Sequence, residues 1–130
     1  MRINYFLRHA GLLAAILLAF GLVARVQAQT GNNTSSNLAT LDDAYATLAQ
    51  ADHDYKGHRV LAMKQIELAV KELGGKISGK GKGHEPQATS DAQLKAAQAM
   101  LQQAVGGLSG NALTHVNNAI KQISTALAIK

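Results

Sequence analysis

The chain is predicted to be all-α, a four-helix bundle built from two repeated helical hairpins, and three observations carry this. Beyond residue 37, apolar residues recur at three- and four-residue steps. A turn around His53 and Asp54, and glycine-rich breaks from Gly74 and from Gly106, cut that pattern into four segments of helical length. The chain also matches itself at an offset of 57 residues, with His58 falling on His115 and AMKQIELAV (Ala62–Val70) on AIKQISTAL (Ala119–Leu127). From His58 to Val70, six of 13 positions are identical, and the weight rests on the histidine and the Lys-Gln-Ile triplet rather than on alanine. A single hairpin buries one stripe per helix, whereas two hairpins close a core.

Residues 1–28 read as a signal peptide and are set apart from the fold. Arg2 and Arg8 precede a 15-residue apolar run, Ala10–Ala24, and Val26 and Ala28 stand at the small-residue positions of a cleavage site, so the mature chain is expected to begin at Gln29. A spanning helix wants roughly 20 apolar residues, and Arg25 ends this run short of that. Contact with the membrane is therefore expected only through the signal peptide, and the protein is expected outside the cytoplasm, in the periplasm or the medium. Removing Arg2, Arg8 and Arg25 takes Lys+Arg from 13 to 10 against 8 acids, so the formal charge falls from +5 to +2. Such a mild excess, with Arg59 the only arginine left, argues against a nucleic-acid partner. The chain has no cysteine, so in an oxidising compartment packing alone must hold it together.

In the mature chain, 29–37 (QTGNNTSSN) is a polar leader without apolar period. The first helix is expected from about Thr40, its N-cap, with Asp42 and Asp43 in the first turn where the helix dipole favours negative charge. Asp54 is read as the N-cap of the second helix, whose seam is Met63, Ile66, Val70 and Leu73, and Gly74-Gly75 ends it. These two helices form the hairpin 38–75. The stretch 76–89 (KISGKGKGHEPQAT) is a linker with three glycines, three lysines and the only proline; it lacks the strand and the GK[ST] helix start of a phosphate loop. Ser90 to Gln93 is a capping box opening the third helix, and Asn111 caps the fourth, with Val116, Ile120, Ile123 and Leu127 as seam, giving the second hairpin, 90–130. Whether that hairpin runs with the first or reversed is open: the first arrangement puts His58 and His115 at one level, the second at opposite ends.

At DYKGHRVLAMKQIELAVKEL (Asp54–Leu73) the chain resembles small exported bacterial helical proteins with a Y-x-G-H-R-type helix start. The resemblance implies export and a helical fold, and no activity. The second copy departs from it, with Ala112, Leu113 and Thr114 for Tyr55, Lys56 and Gly57, and Val116 for Arg59.

The candidate chemistry centres on His58 and His115, which a bundle could direct at a shared divalent metal ion or haem iron. No C-x-x-C-H or Glu-x-x-His motif supports this, and the plainer reading has each imidazole packing over the adjacent turn and bonding a loop carbonyl. Asp52, His53, Asp54 and His58 form a second, surface cluster of ligand types. Arg59, Lys64 and Glu67 or Glu72 read as surface pairs. No nucleophile elbow or catalytic triad spacing is present, and the adjacent Asp42 and Asp43 point to different helix faces. The expected role is thus non-enzymatic, binding or structural, in the cell envelope, with no cofactor and an unidentified protein or envelope polymer as partner. The alternative is a metal- or haem-binding bundle using His58 and His115. A homodimer, in which single hairpins pair between chains, is a further arrangement.

Overall fold

The computed structural model describes residues 33–51, 53, 55–79 and 87–129. They form four α-helices packed on one core: α1 (33–50), α2 (His58–Glu72), α3 (Gln87–Val105) and α4 (Gly110–Leu127), with a short 3-10 turn, Tyr55–Gly57, before α2. Among the described residues no helix is long and apolar enough to cross a membrane. The signal-peptide reading falls outside the described residues.

Hydrogen bonds between helices fix the directions. The Arg59 guanidinium reaches the Leu48 carbonyl at 3.0 Å and Tyr45 donates to Glu67 at 2.9 Å, so α1 and α2 are antiparallel. Asn37, early in α1, donates to the Gly107 carbonyl beyond the end of α3 at 2.9 Å, and Tyr55, beyond the end of α1, bonds Asp91 near the start of α3. Hence α1 and α3 are antiparallel too. His58 lies opposite Gln122 and Gln65 opposite His115, which makes α2 and α4 antiparallel neighbours. The second hairpin is therefore reversed, and α2 and α3 run the same way.

That topology forces the connection between α2 and α3 to cross the length of the bundle. Its first half can be followed. Gly75 lies against Leu38, and Gly79 packs so closely on α1 that a Cβ there would sit 2.9 Å from the Ala46 Cβ. Asp42 accepts hydrogen bonds from the Ser78 amide at 2.8 Å, the Gly79 amide at 2.9 Å and the Ser78 hydroxyl. The linker thus retraces α1 from the end it has just left.

The core is built of Leu41, Leu48, Tyr55, Ile66, Leu94, Leu101, Val116 and Ile123 with many alanines between them. In α2 the buried stripe is Ala62, Ile66, Ala69 and Val70, and in α4 it is Ala112, Val116, Ala119, Ile123 and Ala126. The expected seam residues Met63, Leu73, Ile120 and Leu127 are only half-buried. The stripe has rotated onto alanine because α2 meets α1 on one side and α4 on the other, and small side chains allow helices to approach.

Helix ends divide into one agreement and several corrections. Gly74 takes φ 76°, the Gly75 amide bonds the Val70 carbonyl at 2.9 Å and the Gly74 amide that of Lys71 at 3.0 Å, which is the Schellman stop expected of this glycine pair. The leader, by contrast, is helical already from residue 33, and the Thr40 hydroxyl bonds the Ser36 carbonyl as a residue inside the helix does. Helix α2 begins at His58 rather than at Asp54, with Gly57 as N-cap at φ 84°. Helix α3 begins at Gln87, so Ser90 is not a cap but a buried residue of its first turn. Helix α4 begins at Gly110 with Ser109 as N-cap, and Asn111 reaches across to Glu72 at 3.5 Å instead of capping.

Candidate functional site

The histidines sit on the seam between α2 and α4, each bonded to a glutamine of the other helix. His58 Nδ1 lies 2.7 Å from Gln122 Oε1, and His115 Nδ1 lies 2.8 Å from Gln65 Oε1. An amide oxygen only accepts, so Nδ1 carries the proton in both rings and Nε2 remains for another partner. The two pairs are reciprocal: adding 57 to His58 and Gln65 returns His115 and Gln122. Glu72 and Asn111 continue the same polar seam. Inside it run Ala62, Ala69, Ala119 and Ala126, all buried.

This arrangement replaces the loop carbonyl expected for each imidazole with a glutamine across the helix pair. It also sets the two rings at different levels. Antiparallel pairing places His58 beside Gln122 and His115 beside Gln65, seven positions along α2, or about 10 Å of helix rise. The rings share a seam without sharing a level. Among the described residues no group of three or more His, Cys, Asp or Glu side chains converges as a metal site. The surface cluster is only partly described: Asp52 and Asp54 lie outside the described residues, and exposed His53 packs edge-on against Tyr55, ring centres 4.8 Å apart.

The rest of the D-Y-K-G-H-R signature forms a knot at the turn between α1 and α2. Tyr55 is 1% exposed, and its hydroxyl donates to the Asp91 carboxylate while Ser90 also bonds it. Burial, then the bond to Asp91 and that residue's charge, push its phenol well above the ordinary value; the Arg59 charge and the Ser90 bond oppose them. Arg59 is not in a surface pair. It is half-buried, and its guanidinium binds the Leu48 carbonyl, one of the last-turn acceptors that α1 cannot satisfy itself, with the Met63 sulfur at 3.7 Å. Glu67 likewise accepts from Tyr45 at 2.9 Å, and burial together with that bond raises the Tyr45 phenol.

No family model, curated protein or solved structure matches this chain. What the site can do is read from its own geometry. The Tyr55 hydroxyl, Arg59 Nη1 and both imidazole Nδ1 atoms are committed to bonds between elements of the bundle, while Arg59 Nε is buried without a hydrogen-bond partner among the described residues. Asp42, expected to serve the dipole of α1, instead holds the linker; its carboxyl lies below the ordinary 3.8 through the Ser78 hydroxyl first, then the Gly79 and Ser78 amides. Reading the sequence for ligand types passed over Gln65 and Gln122. The signal was there, since both belong to the retained Lys-Gln-Ile triplet.

Proposed function

We propose that this is an exported helical bundle with a non-enzymatic, binding or structural role in the cell envelope. One observation supports the reading above others: the residue types that chemistry would need at this site are engaged as fasteners between helices. A scaffold held this way presents surfaces and keeps its shape. The faces it offers are amide- and lysine-rich, including Asn117, Asn118 and Lys121 on α4 and Lys64 and Lys71 on α2, all exposed. Cell fractionation of the full chain, with N-terminal sequencing of the product and in situ cross-linking, tests it. The expected result is a chain beginning at Gln29, outside the cytoplasm and cross-linked to an envelope component. A cytoplasmic chain that keeps Met1 overturns it.

The metal- or haem-binding alternative draws support from one detail. Histidines that ligate metals commonly donate their other ring N–H to a neighbouring acceptor, and Nδ1 of both His58 and His115 does so here. With the rings about 10 Å apart along the seam, each would hold its own ion. Titration of the mature chain with zinc, copper and haem decides it, since H58A and H115A should each remove one binding event and unchanged binding in both variants removes the histidine sites.

A further inference from the structure

We infer that the interface between the two hairpins is self-complementary, and that a second copy of this chain is a partner through exchange of hairpins. The argument starts from reciprocity. In a two-fold symmetric contact, residue i meets residue j and the copy of j meets the copy of i. His58 meeting Gln122 and Gln65 meeting His115 obey that rule with positions 57 apart standing for copies, and the antiparallel pairing of α2 with α4 is what a two-fold axis perpendicular to the helices produces. The apolar layer repeats at the same offset, since Ala62, Ile66 and Ala69 have Ala119, Ile123 and Ala126 as counterparts, all buried. An interface of this kind forms equally well within one chain or between two.

The linker decides which. The two turns inside the hairpins are short and stay with their hairpins, so the one connection that exchange must reroute is the crossover. Extended, residues 76–86 reach up to about 36 Å, whereas α2 is about 22 Å long. The crossover can therefore fold back along its own bundle or extend to a neighbouring one. Folding back is favoured by the three bonds that Asp42 makes to Ser78 and Gly79. In an exchanged dimer every contact between hairpins is kept, so concentration and that tether set the balance.

The chain has no cysteine, which permits a direct test. Full-length Q65C and H115C chains are unfolded, mixed, refolded together at high concentration and oxidised. In an exchanged dimer the first hairpin of one chain faces the second hairpin of the other, so the mixed disulfide should outweigh both like-with-like disulfides severalfold. Adding D42A to both chains should raise the dimer fraction. Where circular dichroism shows either histidine-seam variant to be unfolded, E72C with N111C, an exposed pair on the same seam, replaces it. Mixed and like disulfides in random proportion, or monomer alone after refolding with D42A present, overturn the inference.

Discussion

The two hairpins differ most where the first is most polar. Positions 57 apart keep His58 with His115 and Gln65 with Gln122, the residues that join α2 to α4. Asp42, Tyr55 and Arg59 of the first hairpin have Ala99, Ala112 and Val116 as counterparts. The three residues without a polar counterpart hold what the second hairpin does not have: the crossover, the contact to the start of α3, and a turn that passes through three left-handed residues. Tyr55 and Lys56 take φ 47° and 53°, a region that costs L residues about 1–2 kcal/mol each. The second turn uses Gly106, Gly107 and Gly110 instead, with only Gly110 at positive φ, 56°. One turn is imposed by side chains; the other is permitted by their absence.

The contrast is broken most severely at Tyr55. Replacing it with alanine should cost about 3–5 kcal/mol in urea unfolding, whereas A112G at the counterpart should cost about 1 kcal/mol. Equal losses would mean that the two turns are built alike. Y55F keeps the ring and removes only the hydroxyl, and a loss of about 1.5–3 kcal/mol is expected because the Asp91 carboxylate loses a donor. A double-mutant cycle with D91N isolates that bond. The shared pairs should behave symmetrically: H58A and H115A are each expected to cost about 1 kcal/mol. A loss confined to one of them would show that the reciprocal geometry is not reciprocal in energy. K56G is expected to raise the thermal midpoint, by up to about 1 kcal/mol in stability, since Lys56 is exposed and pays for its backbone alone.

The smallest effect concerns the crossover and depends on pH. The Asp42 carboxyl is held below 3.8, so its bonds contribute fully above that value and are lost as pH falls through the lower folded value. Exchange of the Ser78 and Gly79 amides should accelerate over that acid range in the parent chain. In D42A it should be fast at every pH. Protection that persists in D42A would show that the packing of Gly79 on α1 holds the linker unaided.

Much of the architecture was legible because it is local. The four apolar periods, the breaks between them and the glycine stop after α2 depend on neighbours within a few residues. Helix starts were not legible, and the reason is the same each time. Thr40, Ser90 and Asn111 have the chemistry of caps, but Ser90 is taken by Tyr55, Asn111 by Glu72, and Thr40 by the Ser36 carbonyl one turn back in a helix that had already begun. Half of each expected seam is buried, Ile66 and Val70 in α2 and Val116 and Ile123 in α4; the other half gave way to alanine, which is what lets those two helices meet. The partner of each histidine hung on the direction of the second hairpin, a choice that composition and periodicity do not encode. Reversal turns a possible His58–His115 encounter into two bonds between histidine and glutamine.

The crossover also sets an order of events during synthesis. The first hairpin is complete 57 residues before its counterpart, which at about 5–20 residues per second is a wait of roughly 3–11 s. Throughout it, the face of α2 destined for α4 is uncovered. That face carries Ala62, Ala69, His58 and Gln65 with Ile66 as its one large apolar side chain, rather than a row of leucines, so the nascent chain has little for a neighbour or a chaperone to grip. A seam of small and polar residues contributes less when closed, and is safer while open.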